Sequence, residues 1–215
     1  SNQLKNSQGF SIVENNKNTI FSIGKLSLTF PKEGKFTGSF ENNLLNKMPV
    51  NETGNVIDFD NIAKSASERG ADEKIAALKM DVDNLGTLFM NKNKDEYLKI
   101  SKAVENFFSI SLYTDILKPY IDDGDIYPVF AGGDDIFSIG SWDKIFEIVP
   151  KIHSAFDTAQ KDWRNKIIKK DDDLTISAGL IVVHPKFPMI RLAEEAENML
   201  SLAKNKGKNR ISVFG

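Results

Sequence analysis

"DIYPVFAGGDDIFSIG", residues 125–140, sets Gly132, Gly133, Asp134 and Asp135 between two apolar runs. Short apolar runs on either side of a glycine-bearing turn read as a β-hairpin. The turn needs a glycine; it has no need of two adjacent carboxylates at its tip. Upstream, "IAALKMDV" (76–82) is a short, mostly apolar strand, and downstream "LTISAGLIVV" (174–183) and "RISVFG" are two more. Residues 95–120 carry apolar side chains largely in helical steps, and residues 142–168 form a second long helix that Pro150 bends or divides. "PMIRLAEEAENMLSLAKNK" is a third helix, stopped by Gly207. The order is β-α-β-β-α-β-α-β. Short connections and right-handed crossovers reduce it to a ferredoxin-like split β-α-β, an α+β fold. We expect an antiparallel sheet with helices on one face and an added edge strand.

Residues 1–60 read differently. "SIVENNKNTIFSIGKLSLTF" alternates β-rich runs with Asn, Lys and Gly turns, and "PKEGKFTGSFENNLLNKMPVNETGN" is polar and broken by Pro and Gly. We expect a small β-rich appendage and connector over 1–60 and one domain over 61–215, with a short helix in "FDNIAKSASERGADEK" before Gly70. No chemistry is assigned to the appendage. Of the 215 residues, 40% are hydrophobic and 27% charged, as in soluble globular proteins. With 28 basic and 30 acidic residues the formal charge is −2, so no overall basic field draws in nucleic acid. The absence of cysteine excludes a disulfide framework and a thiolate zinc site within these residues. No run approaches the length of a membrane span, and a cytoplasmic protein is expected. The chain opens Ser1-Asn2-Gln3 without Met and stops after a strand-like run, so it reads as a piece of something longer.

"KMDVDNLG", residues 79–86, repeats the theme of the hairpin. Asp81 and Asp83 point the same way because strand side chains alternate, and Asn84, Leu85 and Gly86 turn the chain toward a helix. In a split β-α-β fold the first strand neighbours the central hairpin, so Asp81 and the Asp134-Asp135 pair converge. Clustered carboxylates raise one another's pKa unless a cation lies among them, and hard oxygen donors suit Mg2+ or Mn2+. Two such ions activate an attacking hydroxyl and steady a leaving phosphate. Gly132 and Gly133 would permit positive φ and let a triphosphate approach the backbone. Each motif alone has an ordinary reading, a hairpin turn for one and a solvated strand end or helix cap for the other. Their joint occurrence favours the site. Lys204 and Lys208, four apart and flanking Gly207, would share a helix face and hold phosphates, or else simply suit the helix dipole.

Taken together, "ALKMDVDNLG", "FAGGDDIFSIG", "TISAGLIVVHPKFPMIRLAEEAENMLSLAK" and "GKNRISVFG" resemble the second Palm (GGDD) domain of the large subunit of type III-A (Csm-type) CRISPR effector complexes. More distantly they are similar to the Palm domains of GGDEF and other nucleotidyl cyclases. The resemblance covers roughly residues 55–215. It implies a nucleotidyltransferase that uses ATP and two divalent ions, Mg2+ or Mn2+, to make cyclic oligoadenylates in antiviral defence. It also implies partners: ATP, and the other subunits of a ribonucleoprotein carrying crRNA and target RNA. By motif, Asp81, Asp134 and Asp135 would be catalytic metal ligands, joined by the backbone carbonyl of Val82. Nucleotide would meet Val82, Asp83, Asn84, Leu85, Gly86, Gly132 and Gly133, Lys204 and Lys208 would bind triphosphate, and Ser109 would contact adenine.

Departures from the family pattern are equally specific. The two histidines, His153 and His184, are each followed by a residue other than Asp, so the HD nuclease motif of the full family protein is not in this chain. The cysteine-ligated zinc module is missing as well. The resemblance implies a pocket between two Palm domains, so the fragment alone is expected to bind nucleotide weakly and to be inactive. A diguanylate cyclase is the competing enzyme reading. Against it, the hairpin reads GGDD followed by Ile136, and Asp123 and Ile126 stand where an Arg-x-x-Asp inhibitory motif belongs. A non-catalytic scaffold Palm is the third reading, and the intact GGDD argues against it.

Overall fold

The computed structural model describes the strand backbones within residues 2–31 and, with side chains, residues 48–90, 92–167 and 173–214. Four strands, β1 (Asn2–Lys5), β2 (Phe10–Glu14), β3 (Asn18–Ile23) and β4 (Leu26–Pro31), pair in sequence order as an antiparallel meander. The polar connector expected after them falls largely outside the described residues. Helix α1 (Phe59–Glu68) starts just before the boundary drawn at residue 60, and Asp58 caps it by accepting from Asn61 N.

A second sheet positions the site. Its strands are β5 (Ile75–Asp83), β6 (Ile126–Gly132), β7 (Asp135–Ser141), β8 (Thr175–Val183) and β9 (Ile211–Val213), in the order β6-β7-β5-β8-β9. The first four pair antiparallel in the split β-α-β arrangement, whereas the added strand β9 runs parallel to β8, so the sheet is mixed. β6 is an edge strand; it carries Pro128 and its register slips between Pro128 and Phe130.

Alternation along β5 divides the core. Ala76, Leu78, Met80 and Val82 face a large cluster, while Ile75 and Ala77 face a smaller one. The large cluster is covered by α2 (Leu85–Met90), α3 (Lys94–Asn106), α4 (Lys118–Asp122) and α5 (Trp142–Lys166). Between α3 and α4 the chain stays helical through two π-helical segments, Phe107–Ser111 and Tyr113–Leu117. Those wide turns keep Phe107, Phe108, Leu112, Ile116 and Leu117 all buried. Phe107 meets Phe108 and Phe156 edge-on at 5.2 and 5.3 Å, and Trp163 meets Phe156 at 5.7 Å. Each such pair contributes about 1 kcal/mol beyond area burial. Pro150 does not divide α5, which runs unbroken for 25 residues.

The helices were expected on one face; they occupy two. α1 and α6 (Met189–Asn205) pack against the other face, through Ile62, Ala63, Leu192 and Ala196. The seat of α6 is Gly179: a Cβ there would lie 2.2 Å from Leu200 N and 2.4 Å from Ala196 O. Helix backbone thus rests directly on strand backbone. Among the described residues no helix is long and apolar enough to cross a membrane.

Candidate active site

Lys79, Asp81 and Asp83 alternate with Leu78, Met80 and Val82, so the three polar side chains leave β5 on the face that α6 covers. Asp81 stands in register with Asp135 of β7 on one side and Ser177 of β8 on the other. Two acids more than 50 residues apart in sequence, Asp81 and Asp135, are therefore cross-strand partners. In the hairpin Gly132 pairs with Asp135, leaving a two-residue loop, Gly133-Asp134. Gly133 has φ +63°, the conformation that a tight hairpin requires of its first loop residue. Gly132 has no such conformation, and a Cβ on it would meet only the Phe130 ring, at 3.9 Å. One glycine of the two, rather than both, serves the turn. The Asp134 carbonyl accepts from Val82 N at 3.1 Å, which hooks the loop onto β5.

Burial pushes the Asp135 carboxyl above the usual range, and repulsion from Asp134 and Asp81 adds to it, while Lys79 opposes. Asp81 is also pushed up, by burial first; the hydrogen bond and charge of Lys204 pull it down, and Asp134 and Asp83 push it up again. The Lys204 ammonium donates to Asp81 Oδ1. Lys79, two residues before Asp81, is paired instead with Glu197 of α6. The donor set is all oxygen, part-buried and self-repelling, which suits a hard divalent cation. Among the described residues, however, no three carboxylate or imidazole groups already converge to enclose one. The convergence of three acids expected from the sequence is realised as a cross-strand pair with Asp134 beside it.

The remaining expected residues divide. Asp83 is 1% exposed, and its carboxylate accepts from Thr175 Oγ1 at 2.7 Å, Ser177 Oγ at 2.8 Å and Asn209 N at 3.0 Å. It faces protein, so it is not placed to contact nucleotide. Leu85 is in the core, and Gly86 is exposed in α2. Lys204 and Lys208 do not share a helix face. α6 ends at Asn205, Gly207 follows with φ +115°, and Lys208 lies beyond it with φ +60°. Both still reach the same junction, since Lys208 Nζ donates to Asn84 Oδ1. Ser109 is not brought to the acids. Its hydroxyl donates to the Glu105 carbonyl at 2.6 Å, in a segment packed on the opposite face of the sheet. Sequence reasoning passed over Lys79, Thr175, Ser177 and Asn209. The first three were discernible, as polar side chains at every second position of otherwise apolar strands; Asn209 had no such signal.

The profile of the family described as Cas10/Cmr2, second palm domain, matches residues 74–212. A relative in Methanocaldococcus jannaschii, named CRISPR system single-strand-specific deoxyribonuclease Cas10/Csm1 (subtype III-A), is 32% identical over 164 residues, covering 70% of this chain and 19% of its own length. A Thermococcus onnurineus protein of the same name is 27% identical over 86% of this chain and 24% of its own. Among solved structures, a Csm1-Csm4 cassette in complex with pppApA superposes with a TM-score of 0.66 and 25% identity, over 78% of this chain and 24% of that one. Similar cassettes carry cA4 or AMPPNP, each with a TM-score of 0.63. The chain thus spans about a quarter or less of the relatives it matches. With the two acid motifs on adjacent strands and the family profile covering most of the mixed sheet, the chain belongs to the Cas10/Cmr2 second palm domain family.

Proposed function

We propose that this palm binds ATP with two divalent ions, Mg2+ or Mn2+, and joins it into cyclic oligoadenylates. The observation that carries the reading is the cross-strand pair Asp81 and Asp135, both pushed toward protonation, beside Asp134 and under the Lys204 ammonium. Asp81, Asp134, Asp135 and the Val82 carbonyl would hold the ions. Bound there, the ions would activate a ribose hydroxyl for attack on an α-phosphate and steady the departing pyrophosphate. Lys204 and Lys208 would supply charge to the phosphates from the α6 side. The cassettes crystallised with AMPPNP, pppApA and cA4 support adenylate chemistry for similar palms. The deoxyribonuclease of the relatives' names is not assigned to this chain, because His153 precedes Ser154 and His184 precedes Pro185. In the whole protein the palm would work within a ribonucleoprotein holding crRNA and target RNA.

The test is incubation of the whole protein that contains this palm with labelled ATP or GTP and Mn2+, followed by chromatography of the products. Linear and cyclic adenylates that vanish in the Asp134→Asn and Asp135→Asn variants are expected. A cyclic guanine dinucleotide would replace this reading with the diguanylate cyclase. If neither ATP nor Mn2+ raises the melting temperature at any concentration, the scaffold reading stands instead.

A further inference from the structure

Asp83 is the most enclosed charge-bearing group near the site, and the function proposed above leaves it unused. Three different donors converge on its carboxylate, and all three are neutral: the Thr175 and Ser177 hydroxyls and the Asn209 amide. The first two belong to β8, the neighbouring strand. The third belongs to the loop between α6 and β9 that carries Lys208. That loop is held in an uphill conformation, because Lys208 and Asn209 are consecutive non-glycine residues with φ +60° and +47°. Left-handed non-glycine residues persist where their surroundings over-determine them. Two contacts do so here. Asp83 takes the Asn209 amide from inside, and His153 of α5 meets Asn209 Oδ1 at 2.9 Å from outside. A small cavity of about 40 Å3 lies against His153, Phe156, Thr175 and Asn209. With its backbone so bent, the loop turns Lys208 back to Asn84 at the end of β5, itself left-handed with φ +64°.

We infer that Asp83 and His153 are positioning residues that latch Asn209 from two sides and thereby aim the Lys208 ammonium at the β5–α2 junction, where the triphosphate of the nucleotide would lie. Asp83 does this through β5 itself, two residues from Asp81, so the acid pair and the lysine are set from one strand end. The phosphate part of the inference rests on the function proposed above; the latch does not.

Two measurements separate the two. The first is amine labelling of the intact chain, read by mass spectrometry at Lys208 against Lys206, which lies outside the latch. Asp83→Asn keeps the size of the side chain but has one acceptor oxygen for three donors. His153→Ala cuts the outer contact at a half-buried position that the core does not need, which keeps the test valid if Asp83→Asn fails to fold. Each is expected to raise Lys208 labelling several-fold with Lys206 unchanged, and His153→Gln, which retains a donor, to restore the parent rate. Unchanged labelling in His153→Ala overturns the latch. The second is titration with ATP and Mg2+ and with AMP. Loss of about tenfold in ATP affinity with AMP affinity unchanged supports the aim at phosphate; equal losses for both, or none, overturn it. A parent chain that binds no ATP while labelling still responds would sink the proposed function and leave the latch standing.

Discussion

Replacing Gly179 with Ala tests whether the seat of α6 governs the site. The added Cβ would lie 2.2 Å from Leu200 N and 2.4 Å from Ala196 O, both backbone atoms of α6. An ordinary carbon contact needs about 3.4 Å or more, so the helix must withdraw by roughly 1 Å because a strand and a helix backbone cannot rotate away as a side chain can. Overpacking of this kind costs about 1–3 kcal/mol, and the backbone contact places this site at the upper end, near 2–3 kcal/mol. For a chain of this size that lowers the melting temperature by roughly 4–12 °C. The shift also carries Lys204 away from Asp81 and Glu197 from Lys79, since α6 bears one partner of each pair. Thermal unfolding by circular dichroism gives the first effect, and ATP titration the second. A variant within about 1 °C of the parent, with parental ATP affinity, would refute the claim that backbone contact at Gly179 sets the height of α6.

Asp135→Asn is expected to stabilise the metal-free protein at pH 7. Its carboxyl is pushed up on folding, so its favourable contribution is full below the ordinary value of 3.8 and is lost as pH rises through the raised one. The melting temperature rises at pH 7, by less at pH 4 and after adding Mn2+; a lower melting temperature at pH 7 contradicts it. Glu147 behaves oppositely: hydrogen bonds from Lys151, Lys144 and Tyr120 hold it down to about 2, so its contribution is lost as pH falls from about 4.5 through 2. Glu147→Gln should flatten that acid limb by about 1 kcal/mol after solvent screening, and an unchanged slope of stability against pH rules this out. Arg69→Ala removes a guanidinium bound to Asp143 at 2.7 Å and to buried Asp125 at 3.0 Å. Stranding Asp125 costs about 3 kcal/mol in urea unfolding, and a loss under 1 kcal/mol would mean that the Ser65 and Ser141 hydroxyls suffice for it.

Much of the fold was legible because each strand and helix carries a period of its own. Leu78, Met80 and Val82 against Lys79, Asp81 and Asp83 reveal a strand with one apolar and one polar face, and Gly133-Asp134 marks the hairpin. The face chosen by α6 was not legible. β7, β8 and β9 are mutually parallel and succeed one another in the same direction across the sheet, yet α5 and α6 lie on opposite faces. The two crossovers therefore have opposite hands, and the usual preference for one hand predicts the wrong face for one of them. On the face α6 takes, a single glycine, Gly179, lets the helix backbone approach the strand closely, a feature invisible in periodicity. Of the site, the acid pair followed from strand order. The divergence of Lys204 and Lys208 did not, because i and i+4 spacing implies one face only while the helix lasts, and it ends at Asn205. Asp83 was expected at the nucleotide from the motif resemblance; three donors from two other segments hold its carboxylate instead, and those donors are contributed more than 90 residues away.

The hairpin that presents Gly133 and Asp134 hangs from the margin of the sheet, and its outer border is defective as a template. Pro128 offers no amide hydrogen, and the slip in register at Val129 breaks the regular spacing of the rest. A foreign strand has no continuous ladder to extend along this side. Phe130 stays exposed on the same strand. The acids can therefore stand at the rim of the sheet without being drawn into a longer one.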